Sequence, residues 1–187
     1  MKTNLKALCT GAVLVALATV LSFLKLPLPA WSYGGSITLG SMVPIILFAL
    51  LFGTKWGLIG SVAYSLIQMM LGFYPPPTNT VWAFFLVIML DYVVAFGGLG
   101  LADLFRKPFG KLKPALSATL AGSAVVILRF LCHFASGILI WDVYAPEGTP
   151  VWLYSFLYNG GYMAGELIIT VVLMLLLAPS VLKIAKK

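Results

Sequence analysis

The chain has 187 residues, of which 61% are hydrophobic and 9% charged, with a formal net charge of +7 and a mean hydropathy of +1.06. Soluble domains carry about 25% charged residues, so this composition excludes a water-soluble fold and describes one membrane domain, residues 1–187. The cations sit between apolar runs, not along one face, which argues against nucleic-acid binding as the meaning of the positive charge.

Six apolar runs, each near the ~20 residues needed to cross a bilayer, give the predicted spans 5–24, 37–52, 56–73, 81–105, 114–141 and 151–184. The first follows Lys2 and Lys6 and imitates a secretory leader. It is long for a leader core and no small-x-small cleavage site follows, so it reads as a membrane helix. Ala12 and Ala16, with Gly11 and Ala18 beside them, give it small residues that permit close helix approach, inside the fold or to a partner. Pro27 and Pro29 forbid its continuation. The second and third runs are joined by little more than Gly53-Thr54-Lys55 and should form a tight hairpin. Tyr74-Pro75-Pro76-Pro77 ends the third. Cys9 and Cys132 both fall in apolar runs and read as small buried hydrophobes, not as a disulfide or metal site.

Lys2, Lys6, Lys55, Arg106, Lys107, Lys111, Lys113, Lys183, Lys186 and Lys187 collect on one side of this topology, and Lys25 alone on the other, with Asp142 and Glu147. The positive-inside rule then makes both termini cytoplasmic. The outer loops are 26–36, 74–80 and 142–150, rich in Pro, Gly, Trp and Tyr, which suits caps over a pocket.

Polar residues inside the spans carry the functional signal, because a charge in hydrocarbon costs roughly 2.5–3.5 kcal/mol or more. Asp91 lies mid-way along the fourth span, followed by Tyr92. It either pairs with Arg129 or faces a cationic ligand. Arg129 and His133 are one turn apart on the fifth span, about 6 Å along the axis, so one face there is polar. Trp141 lies about 12 Å further out, as a belt residue or as a plate for a flat cation. Tyr154 and Asn159 open the sixth span from the same side, and Asn159 offers both a donor and an acceptor. Glu166, about 10 Å deeper than Asn159, is assigned a structural role.

These residues resemble the substrate-binding S component of an energy-coupling factor vitamin transporter, most closely the thiamine-specific branch. The resemblance rests on Asp91-Tyr92, on Arg129-x-x-x-His133-Phe134-x-x-Gly137-x-x-x-Trp141, and on Tyr154-Ser155-x-x-x-Asn159-Gly160. The family pattern is Glu-Tyr, then Lys-x-x-x-His-Phe-x-x-Gly-x-x-x-Trp, then Tyr-Ser-x-x-x-Asn-Gly. Asp91 thus stands for Glu and Arg129 for Lys, which is not a neutral exchange at a site of fixed geometry. The tryptophan that the family carries before its second helix aligns with Gly35, with Trp31 or Tyr33 as substitutes. Tyr74 matches loosely, because the loop before the fourth span is longer.

The resemblance implies an all-α membrane protein of six helices with its vitamin pocket near the outer face, in the bacterial plasma membrane. It implies Asp91, Tyr92, Arg129, His133, Trp141, Tyr154 and Asn159 as pocket residues and thiamine as the ligand, with no cofactor. Ala12 and Ala16 would form the docking face for a membrane coupling subunit, which two cytoplasmic ATPase subunits complete. The chain has no Gly-x-x-x-x-Gly-Lys-Ser/Thr loop, so ATP hydrolysis would belong to partners. The alternatives are an S component for another vitamin or a thiamine precursor, and a proton-driven carrier with Asp91 as the proton site. An enzyme built on Asp91, His133 and Glu166 fits least, since the chain lacks both His-Glu-x-x-His and Gly-x-Ser-x-Gly.

Overall fold

The computed structural model describes residues 2–26 and 35–184. Trp31 and Tyr33, most of the first outer loop, and Lys186 and Lys187 lie outside the described residues. Among those described there are five helices long and apolar enough to cross a membrane: α1 (Asn4–Phe23), α2 (Val43–Gly72), α3 (Val81–Phe109), α4 (Pro114–Leu139) and α5 (Val151–Lys183). The last continues to Ile184.

The fifth and sixth predicted spans survive almost unchanged as α4 and α5, but the second and third become one helical run. It is broken at Gly53, whose φ of 83° and ψ of 171° are non-helical. A positive φ is a glycine conformation, and here it reverses the chain. A Cβ built on Gly57 would lie 2.6 Å from that of Ala49, and one on Gly60 would lie 2.7 Å from Phe48 Cε1. In a straight helix those pairs would be about 12 and 18 Å apart. The two arms of α2, 43–52 and 54–72, therefore fold back on each other as the expected hairpin does. The first arm is shorter than expected because residues 37–42 are not helical. Its ten residues span about 15 Å, half a bilayer core, and residues 40–50 are all buried. This arm is a central post inside the protein.

The other elements pack around that post. On α1, Ala7, Gly11, Val15 and Ala18 turn inward, while Ala12 and Ala16 are exposed. Gly11 is placed against the Phe48 ring. The small residues of α1 thus divide between two faces, because positions 12 and 16 lie one turn apart and 11 and 18 do not share their direction. Cys9 is exposed, contrary to expectation, and Cys132 is buried.

Helix α3 begins on an N-cap, where Thr80 Oγ1 accepts from Ala83 N at 3.2 Å. It is not a uniform α-helix. Residues Val87–Val93 form a π-helical turn, which inserts extra residues and re-aims the side chains beyond it. Asp91 and Tyr92 sit in that turn. Helix α4 starts on Pro114 and stops at Leu139, so Trp141 lies beyond its end.

The chain before α2 crosses one end of the bundle. Leu26 N donates to Ile37 O at 2.9 Å and Leu39 N to Leu24 O at 3.1 Å, a short antiparallel bridge between Lys25 and Thr38. At the opposite end, Leu50, Asp103, Arg106, Lys107, Pro114 and Leu182 surround a second cavity. That end gathers the Gly53 turn, the α3–α4 connection and the last turns of α5.

Candidate functional site

Elements α1 to α5 enclose a cavity of about 230 Å³ at the end marked by the Lys25–Thr38 bridge. All seven sequence-predicted residues, Asp91, Tyr92, Arg129, His133, Trp141, Tyr154 and Asn159, line it. They come from three helices and the loop after α4.

The π turn of α3 aims Asp91 at α4. Its Oδ1 lies 3.0 Å from His133 Nδ1. Its Oδ2 accepts from Ser136 Oγ at 2.6 Å and from Trp141 Nε1 at 3.1 Å. Of the two readings of Asp91, the pairing with Arg129 does not form. Among the described residues the ion pair between charged side chains is Asp103–Arg106, and Asp91 faces the His133 ring instead. Arg129 instead donates from Nε to His133 Nε2 at 3.3 Å and from Nη1 to Met42 Sδ at 3.1 Å. Its guanidinium carbon stands 4.1 Å above the centre of the Phe96 ring, a cation–π contact that suits an arginine away from water. Arginine can only donate, so His133 Nε2 accepts, and the ring proton sits on Nδ1 and points at Asp91. The order Arg129, His133, Asp91 is fixed by one polar chain.

Trp141 is turned toward the cavity. The helix ends two residues earlier, and the chain turns the indole inward so that its N–H reaches both Asp91 and Ser136 Oγ, the latter at 3.0 Å. Tyr144 stacks on it at 6.2 Å and 20°, and Tyr74 meets it at 5.5 Å and 51°. The plate is thereby held in one orientation.

Tyr92 is mostly buried and spends its hydroxyl on the α2–α3 loop. It donates to Gly72 O at 2.9 Å and accepts from Tyr74 N at 3.0 Å. It therefore fixes Tyr74, and through it one side of Trp141. Asn159 joins α5 to α4: its Nδ2 donates to His133 O at 3.2 Å and to Ser155 O at 3.1 Å, and its Oδ1 accepts from Tyr162 Oη at 2.9 Å. Gly137 allows this approach, since a Cβ there would collide with Ser155 and lie 3.0 Å from Asn159 Nδ2. Tyr154 packs against Tyr158 at 5.8 Å, and the Tyr158 hydroxyl accepts from Gly35 N at 3.2 Å.

Several cavity residues escape a sequence reading. Ser136, three residues after His133, shares its helical face, and that spacing was the available signal. Tyr64, Gln68 and Thr38 carry no motif. Glu166, expected to be structural, also lines the cavity. It is 1% exposed, and its Oε1 accepts from both the backbone N and the Oγ1 of Thr38 at 2.7 Å. No group of three or more His, Cys, Asp or Glu side chains is placed to hold a metal ion among the described residues.

The cavity combines a fixed aromatic plate, an oriented carboxylate and a set of hydroxyl and amide groups within one membrane bundle. Its chemistry suits a flat, polar, positively charged molecule.

The sequence matches the family described as Thiamine transporter protein (Thia_YuaJ) over residues 8–186. It is 33% identical to Thiamine transporter ThiT of Bacillus subtilis (strain 168), across 92% of this chain and 91% of that one. It is 32% identical to Thiamine transporter ThiT of Lacticaseibacillus paracasei across 45% of each chain. The fold is that of ThiT from Listeria monocytogenes, with a TM-score of 0.71 at 21% identity, covering 97% of this chain and 98% of that one.

Proposed function

This chain belongs to the thiamine transporter family, a multi-pass protein of the bacterial cell membrane, and from that premise we propose that it is the substrate-capture component of an energy-coupling factor importer. It takes thiamine from outside and delivers it through partners that hydrolyse ATP. The observation that carries this reading is the convergence of seven residues, spread from position 91 to position 159, on one cavity.

The chemistry of the ligand fits the wall. Thiamine joins a flat aminopyrimidine to a cationic thiazolium. Trp141 offers a face to a flat cation, and the Asp91 charge lies at the edge of the same indole. Arg129 and His133 orient that charge from the far side. Tyr154 and Asn159 close the α5 side, and Tyr92 holds the loop that carries Tyr74.

The six-span reading rests on counting the two arms of α2 separately, with both termini cytoplasmic. Lys55, Arg106, Lys107, Lys111 and Lys113 cluster near the Gly53 turn and the α3–α4 connection, as cytoplasmic loops do. The cavity then opens outward. The exposed Ala12 and Ala16 leave a smooth strip on α1, on which a membrane coupling subunit docks closely. That subunit and two ATPases supply the energy this chain has no loop to provide.

The test is titration of the purified protein in detergent with thiamine, followed by tryptophan fluorescence. Saturable quenching that Trp141→Phe diminishes supports the reading. Quenching by another vitamin and not by thiamine would reassign the ligand.

A further inference from the structure

We propose that Glu166 is a specificity-determining residue of this cavity, whose free carboxylate oxygen accepts a hydrogen bond from an N–H or O–H donor of the bound vitamin; this rests on the thiamine-capture reading above. Asp91 already faces three donors, His133, Ser136 and Trp141. Its oxygens are committed to holding the wall, and it acts on a ligand mainly through its charge.

Glu166 is differently placed. Oε1 is spent on Thr38, but Oε2 is buried and has no hydrogen-bond partner among the described residues. Thr38, Ser41, Tyr64 and Glu166 all line the cavity and are 6%, 2%, 0% and 1% exposed. The Tyr64 hydroxyl is likewise buried, with no hydrogen-bond partner among the described residues. Two unmet polar atoms beside one cavity form a built polar floor, because buried polar groups are nearly always satisfied.

The floor has a defined height. Glu166 is seven residues beyond Asn159 on α5, about 10 Å along the axis, while Asn159 is bonded to His133 at the Asp91 level. A ligand of two linked rings spans that interval, with one end at Trp141 and Asp91 and the other at Glu166. Thiamine has two neutral donors suited to the floor, the amino group of its pyrimidine and the hydroxyl of its side chain.

Three ligands distinguish them: thiamine, an analogue with ethyl in place of hydroxyethyl, and an analogue with hydrogen in place of the pyrimidine amino group. Each is titrated by tryptophan fluorescence against the full chain and against Glu166→Gln. The expected result is that Glu166→Gln weakens thiamine by about tenfold or more, yet leaves one of the two analogues within about twofold. That analogue identifies the donor. An equal loss for all three ligands, or no loss, would overturn the proposal and leave Glu166 as an anchor for Thr38. If Glu166→Gln does not fold, Glu166→Asp keeps the charge and withdraws it by one methylene, and the same two patterns decide. A wild-type protein that ignores thiamine would refute the parent reading and this one together. A wild type that binds thiamine as tightly as Glu166→Gln does would refute this one alone.

Discussion

Replacing Asp91 by Asn tests the polar wall at its centre. The carboxylate is approached by three donors, at 3.0, 2.6 and 3.1 Å. Asn keeps the shape but has one acceptor oxygen and one NH2 group. If that oxygen stays with Ser136 and Trp141, the NH2 group meets the His133 N–H, donor against donor. Moving the His133 proton to Nε2 relieves that clash and creates another with Arg129 Nε–H. Each of these arrangements sets donor against donor, at about 1–3 kcal/mol for a buried donor left unmet, and replaces charge-assisted bonds by neutral ones. Loss of the negative charge beside a bound cation adds to this. The combined expectation is a loss of about 2–5 kcal/mol, divided between ligand affinity and thermal stability. Thermal unfolding in detergent and thiamine titration separate the two shares. Ser136→Ala, which removes one donor and keeps the charge, should cost about 1–2 kcal/mol. An Asp91→Asn protein that binds thiamine within about twofold of wild type and unfolds at the same temperature would refute the reasoning.

His133→Ala and Trp141→Ala should each weaken thiamine binding by more than ~1.4 kcal/mol, a factor of ten; unchanged affinity in both would remove the pocket assignment. Ala16→Trp should leave binding in detergent intact and impair ATP-driven uptake in cells, since its side chain projects from the exposed strip of α1; normal uptake would place the coupling subunit elsewhere. Gly137→Ala should lower thermal stability by about 1–3 kcal/mol through overpacking against Ser155, and a neutral effect would mean that α4 and α5 separate freely. Gly53→Ala should cost about 1–3 kcal/mol, because the chain reverses there at a φ of 83° and ψ of 171°, a conformation essentially reserved for glycine; circular dichroism melts read both glycine variants.

Much of the site was legible in the sequence because polar residues in hydrocarbon are too costly to be scattered. Arg129 and His133 one turn apart on α4 had to share a face, and the structure bonds them. Other parts depended on irregular backbone. The hairpin at Gly53 follows from the sequence, yet its first arm is only ten residues, buried through Leu50, since residues 37–42 give up helix to reach across to Glu166. Charge alone allows Asp91 either to pair with Arg129 or to face a cationic ligand. The pairing fails because the π turn at 87–93 aims the carboxylate at Nδ1 of His133, whose Nε2 side is the one that meets Arg129.

The sequence by itself determined the class, the apolar helices and seven of the cavity's lining residues, because hydropathy and the price of buried charge act on each residue locally. Only the tertiary structure decided which donor meets which acceptor. A helix that stops at Leu139 lets Trp141 fold onto Asp91, and a strand-like segment at Thr38 turns Glu166 from a deep structural carboxylate into part of the cavity. Hydrogen bonds are directional over a few tenths of an ångström, and that precision comes from the packing of elements distant in sequence.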